Sequence, residues 1–251
     1  MSTFAVKGGI GDFLQCLPFM LKHPKNWYLV ASHYERAPEF FAAVGLTIEE
    51  MPFSRLGGTS LCPRQLFLNK NPFLEQKLTF NNDRPVLGIH LGGSNYSLSV
   101  EKRFGFPPKA LPVTVLKAIV SANKQYNILV FGLASEFDDL VPTWRQARSD
   151  YLKFIADDDI TVSLSRVSEC SILIGSDSAF KTMSAMLSIP TIVWVGNYRD
   201  DFRDSTFITP YVEAGIMSVI PYWDLNSNDS VYANVKQCQE FVSKYAYSKS
   251  A

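Results

Sequence analysis

Short apolar runs alternate with stretches of helical periodicity along most of this chain. Phe4-Ala5-Val6-Lys7 predicts a first strand and Gly8-Gly9-Ile10-Gly11-Asp12 a tight turn. Residues 13–22 predict a helix whose Leu14, Leu17, Phe19, Met20 and Leu21 make a broad apolar face. Residues 27–32 predict a second strand, 38–44 a helix ended by Gly45, and 46–51 a short third strand. Residues 53–84 have no clear period and carry Gly57-Gly58, Pro63, Pro72 and Asn81-Asn82-Asp83, which marks a domain junction.

A second series begins with Val86-Leu87-Gly88-Ile89-His90-Leu91, a strand running into Gly92-Gly93-Ser94-Asn95. A helix over 111–123 and a strand over 127–131 follow, then a mixed, mostly helical stretch over 136–148 broken at Pro142. Residues 170–175 predict a buried strand, 178–187 a helix, 191–195 another strand and 231–247 a closing amphipathic helix. Such alternation implies parallel sheets joined by crossover helices. The fold class read from it is α/β, with two Rossmann-like lobes, the first one short. The boundaries are 1–84 for the first lobe with its linker, 85–230 for the second lobe, and 231–251 for the terminal helix.

The chain's 251 residues can form one large or two modest α/β domains. Apolar residues make up 47% and charged ones 19%, the balance of a packed globular protein. The formal net charge is zero, which leaves no electrostatic footprint for nucleic acid or an anionic membrane. No secretory signal opens the chain and no apolar run reaches bilayer length, so a cytoplasmic protein without stable membrane insertion is expected. Cys16, Cys62, Cys170 and Cys238 lie far apart without a CxxC pair, and offer neither a zinc signature nor a disulfide framework.

The strand, turn and helix around Gly175-Ser176-Asp177-Ser178-Ala179-Phe180 carry the most chemistry. A helix N-terminus presents unpaired N–H groups and partial positive charge, which suits a phosphate. Asp177 and Ser178 are equally ordinary N-cap residues. Gly9-x-Gly11 opens like a dinucleotide fingerprint, but Leu14 stands where its third glycine belongs. Asp157-Asp158-Asp159 reads as a solvated loop, so no metal site is expected. His90 reads as a strand-end histidine, and His23 and His33 have no visible partner for hydrolase chemistry.

Three stretches together resemble glycosyltransferase family 9, the heptosyltransferases of bacterial lipopolysaccharide assembly. They are Gly11-Asp12-Phe13-Leu14-Gln15-Cys16-Leu17-Pro18; Leu87 to Ser94 with Glu101-Lys102-Arg103-Phe104-Gly105-Phe106-Pro107; and residues 172–196. The third departs from the family pattern at Ala179 and Thr182, where the family carries Gly and His. The second carries Phe104-Gly105-Phe106 in place of the family's Trp.

The resemblance implies a GT-B fold, two lobes facing a cleft, with the donor held mainly by the second lobe. It implies inverting, metal-independent transfer of a sugar from an ADP-, UDP- or GDP-linked donor, with no other cofactor. The acceptor would be a glycan or lipid-linked saccharide. Asp12 is the implied general base, a role that stands beside an N-cap reading of the same residue. Lys102 is the second implied catalytic residue, and with Arg103 it would neutralise the diphosphate. Gly11, Ser94, Asn95, Asp177, Ser178, Ala179 and Phe180 complete the implied donor site. Two alternatives stay open: a glycosyltransferase acting on a hydroxylated nucleic-acid base, and a non-catalytic nucleotide- or sugar-binding protein.

Overall fold

A computed structural model describes residues 2–32, 34–52, 60–73, 80, 83–92, 113–132, 134, 137–138, 149–156, 159–195, 208–221 and 228–245. Two parallel sheets organise the chain. The first contains β1 (Thr3–Gly8), β2 (Trp27–Ser32), β3 (Glu49–Glu50) and β4 (Ser60–Leu61), in the order β3-β2-β1-β4. Helix α1 (Ile10–Lys22) connects β1 to β2, and α2 (Ala37–Ala42) connects β2 to β3. The register runs from Thr3 opposite Trp27 to Gly8 opposite Ser32, and Phe4 and Ala5 pair with Ser60 and Leu61 on the other side.

The second sheet contains β5 (Val86–His90), β6 (Asn127–Gly132), β7 (Leu152–Ala156), β8 (Ile172–Ser176), β9 (Thr191–Val195) and β10 (Met217–Pro221). Its order is β10-β9-β8-β5-β6-β7, with every pairing parallel. Its helices are α3 (Val113–Ala122), α4 (Ile160–Ser165), α5 (Ala179–Met186), α6 (Thr209–Glu213) and α7 (Asn228–Tyr245). The central strands β5, β6 and β8 are buried on both faces because helices cover both, the pattern of a buried parallel sheet.

The expected α/β architecture is present. The differences fall where local signals are weak. The two-residue strand β4 lies inside the aperiodic 53–84 segment and adds an edge to the first sheet. Strand β10 and helices α4 and α6 also went unread, Phe154-Ile155-Ala156 of β7 read only as a weak strand, and most of the stretch over 136–148 lies outside the described residues. Helix α1 starts at Ile10, three residues before the expected Phe13.

One apolar core runs between the sheets. It joins Val6, Phe13, Leu14, Leu17 and Tyr28 of the first part to Leu129, Phe131, Phe180, Met183 and Met186 of the second. A second core, around Ile89, Ile174, Trp194 and Val242, fills the other face of the larger sheet. Helices α1 and α5 pack together, and Lys181 near the start of α5 acts electrostatically on Asp12 near the start of α1.

Candidate functional site

In each sheet the chain order reverses beside one central strand. In the first sheet β1 lies between β2 and β4; in the second, β5 lies between β6 and β8. Ligands of open α/β sheets bind beyond the carboxyl ends of the strands at such reversals. The residues that leave β1, β4, β5 and β8 are therefore the ones to inspect.

Beyond β1 the backbone turns at Gly8, whose φ is +133°. Gly9, in extended conformation, is the N-cap of α1, and Asp12 is its third residue. The carboxylate of Asp12 reaches back, and its Oδ2 accepts a hydrogen bond from the Gly9 N–H at 3.0 Å. This is half of a capping box. Asp12 thus supports the helix start from inside the first turn and does not stand at the N-cap. A Cβ on Gly8 would overlap Asp12 Oδ2, so only glycine lets this carboxylate fold over the turn.

Beyond β4, Arg64 places its Nη2 2.6 Å from Asp12 Oδ1. The Asp12 side chain keeps 20% of its exposure. Burial raises its pKa above the ordinary 3.8, opposed by the Gly9 amide, the Arg64 guanidinium and the ammonium of Lys181. Lys181 belongs to α5, so charges from three segments meet at Asp12.

Beyond β8, Ser178 occupies the N-cap of α5, yet its hydroxyl makes no capping bond. The hydroxyl lies 2.9 Å from Nδ1 of His90, the last residue of β5. Gly175 makes this approach possible, since a Cβ there would come within 2.8 Å of the His90 carbonyl oxygen. The His90 ring stacks on Phe180 with centroids 4.3 Å apart. Burial pushes the His90 pKa down to about 3, which keeps the ring neutral near neutral pH. Asp177 precedes the N-cap. Its Oδ1 lies 2.7 Å from Nζ of Lys181, an ammonium that is only 2% exposed.

Of the residues singled out in the sequence, the described structure gathers Gly11, Asp12, Asp177, Ser178, Ala179 and Phe180 at the two helix starts. Ser94, Asn95, Lys102 and Arg103 lie outside the described residues. Arg64 and Lys181 were missed. Lys181 follows Asp177 by four residues, a local spacing that signals an ion pair on one helix face; Arg64 has no such signal. Among the described residues no group of three or more His, Cys, Asp or Glu side chains could hold a metal ion. No described helix is long and apolar enough to cross a membrane.

No protein-family model matches the chain, and no curated protein matches it in sequence. Solved structures do. ADP-heptose lipopolysaccharide heptosyltransferase II of E. coli superposes with a TM-score of 0.61 at 11% identity, covering 100% of both chains. This chain has the heptosyltransferase fold. The E. coli heptosyltransferase WaaC with ADP-2-deoxy-2-fluoro heptose gives 0.53 at 8% identity, over 94% of this chain and 99% of that one. WaaC with ADP gives 0.50 at 10% identity, over 98% of each chain. Within this heptosyltransferase fold, Asp12 and Arg64 leave the first sheet and Asp177 to Phe180 leave the second.

Proposed function

We propose that this chain is a nucleotide-sugar glycosyltransferase akin to glycosyltransferase family 9. It would move a sugar from a nucleoside diphosphate to a hydroxyl of a glycan or lipid-linked saccharide. The observation that carries this reading is the meeting of two helix starts at the sheets' reversals. One bears a half-buried carboxylate, Asp12, and the other is a helix whose N-cap side chain does not cap it. The heptosyltransferase fold supports it.

In this reading residues 1–84 hold the acceptor, 85–230 hold the donor across a cleft, and 231–251 close the fold. Asp12 accepts the proton of the acceptor hydroxyl as its oxygen bonds to the anomeric carbon. The bond from that carbon to the diphosphate oxygen breaks, and the nucleoside diphosphate leaves with the electron pair. In-line displacement inverts the anomeric centre. The backbone N–H groups of Ala179 and Phe180, with the N-cap residue Ser178 and the preceding Asp177, receive the diphosphate end of the donor. Lys102 and Arg103 neutralise its charge, Ser94 and Asn95 contact the same group, and Gly11 lets the ligand come close. Positive side chains and amides replace a metal ion, so transfer survives excess EDTA.

The test begins with ADP, UDP and GDP in thermal-shift titrations, since a ligand at 100 times its Kd stabilises the fold by about 2.7 kcal/mol. ADP-heptose is the first donor to assay, because ADP or an ADP-heptose analogue occupies the similar WaaC structures. Asp12→Asn is expected to lower nucleotide release about 10²–10⁴-fold while leaving nucleotide affinity nearly unchanged. Failure of all three nucleotides to raise the melting temperature would overturn the reading. So would an Asp12→Asn variant with full turnover.

A further inference from the structure

The segment over residues 62–68 crosses from one sheet's layers to the other's as an extended strap. Hydrogen bonds fasten it on both sides. The Cys62 N–H donates to the Ala5 carbonyl at 2.8 Å and the Gln65 N–H to the Gln15 carbonyl at 2.8 Å, both in the first part of the fold. The Leu68 N–H donates to the Met186 carbonyl at 2.8 Å, and the Tyr211 hydroxyl donates to the Leu66 carbonyl at 2.7 Å, both in the second. Arg64 sits within this strap, between the two bonds to the first part. Its guanidinium meets the Asp12 oxygen that the Gly9 amide does not.

Each oxygen of the Asp12 carboxylate therefore has one fixed donor, Gly9 N–H on Oδ2 and Arg64 Nη2 on Oδ1. Each keeps acceptor capacity for one more hydrogen, because an ionised carboxylate offers about four lone-pair sites. Two donors at two oxygens fix the plane of the group. A capping residue alone needs only the first. We propose that Arg64 is a positioning residue of the transfer reaction: the strap delivers its guanidinium to fix the orientation and charge of the Asp12 carboxylate. This rests on the reading of Asp12 as general base, and it adds a dependence on the strap that the reading does not require.

The charged neighbours of Asp12 set the sign of the effect. Arg64 from the strap and Lys181 from α5 both favour the ionised carboxylate, while burial favours the protonated one. Arg64 is in direct contact with Asp12, and Lys181 pairs with Asp177 at 2.7 Å. Cys16 on α1 and Cys62 on the strap are buried thiols nearby, and Cys16 has its pKa pushed upward, so it stays neutral. A base works only as the anion, so turnover falls as pH drops through its pKa. Removing Arg64 removes a force that favours the anion, and this acid limb moves to higher pH.

The decisive measurement is the titration of the Asp12 carboxyl carbon by ¹³C NMR in the full-length chain, its signal identified by its loss in Asp12→Asn. Arg64→Ala is expected to move the midpoint to higher pH, with Arg64→Lys between it and the wild type. Should Arg64→Ala fold poorly, Arg64→Gln gives the same comparison with a neutral side chain of similar length. A midpoint in Arg64→Ala equal to or below that of the wild type overturns the proposal. ADP release from ADP-heptose, measured against pH, separates this inference from the reading beneath it. In Arg64→Ala it is expected to fall about tenfold on the acid side for each pH unit that the limb moves, with the deficit shrinking as pH rises. If the NMR midpoint moves and the rate profile does not follow, Arg64 positions Asp12 and the general-base reading fails.

Discussion

Gly8→Ala tests the carboxylate's seat most directly. The new methyl would overlap Asp12 Oδ2 and Cγ, and the backbone at φ +133° is one that side-chain-bearing residues rarely adopt. Holding a non-glycine residue there costs about 1–3 kcal/mol. Displacing Asp12 breaks the bond to Gly9, worth about 1 kcal/mol as a cap, and disturbs the Arg64 pair. The total is about 2–4 kcal/mol. Gly9→Ala is the matched control, since a Cβ there meets nothing within 4 Å and its φ is an ordinary −105°. It loses only a favoured N-cap residue, about 0.5–1 kcal/mol. The two variants should therefore differ by about 1.5–3 kcal/mol, which for a chain of 251 residues is about 3–12 °C in Tm. Calorimetry on both, with nucleotide release measured alongside, makes the comparison. Equal melting temperatures, or full turnover in Gly8→Ala, would refute the claim that glycine at this turn seats the carboxylate.

Lys181→Met should destabilise the fold by about 3–5 kcal/mol, because it removes a buried ammonium 2.7 Å from the mostly buried Asp177 carboxylate. Urea denaturation should show much of that loss recovered in the double variant with Asp177→Asn. For His90 the folded pKa of about 3 lies below the ordinary 6.5, so the unfolded chain binds the extra proton between those values. Stability should fall as pH drops from about 6.5 toward 3. Its slope, measured by denaturant unfolding at several pH values, should flatten in His90→Asn; an unchanged slope would show that His90 does not titrate as its burial requires.

Much of the fold was written in local patterns. Strands β1, β2, β5, β6, β8 and β9 are runs of mostly apolar residues between turn signals, and in β5, β6 and β8 burial on both faces makes the run conspicuous. The elements that escaped or read weakly lack that signature. Strand β7 is the half-buried edge of its sheet, with Lys153 exposed within it. Helix α4, Ile-Thr-Val-Ser-Leu-Ser, is rich in β-branched residues that favour strands. What starts it is Asp159, whose carboxylate accepts the Thr161 N–H at 2.9 Å. Part of the candidate site was legible for the same reason. The glycine-rich turn before Asp12 and the small polar turn at 175–180 are short-range features. Arg64 was invisible because its partner lies 52 positions away and its segment has no periodicity. The capping bond expected of Ser178 did not form, since a partner 88 positions away, His90, took its hydroxyl.

The apolar core shared by the two sheets bears on how such a protein can be recombined. Phe13, Leu14 and Leu17 of α1 belong to the same buried cluster as Phe180, Met183 and Met186 of α5. Grafting the second half onto another first half would set a foreign helix against α5. A mismatch in size there leaves voids or forces overlap, at about 1–3 kcal/mol for each badly fitted side chain. The halves are therefore poor interchangeable parts, however separable their strand orders look. A chimera would do better to keep α1 and the strap whole and to exchange only surface loops of the first sheet.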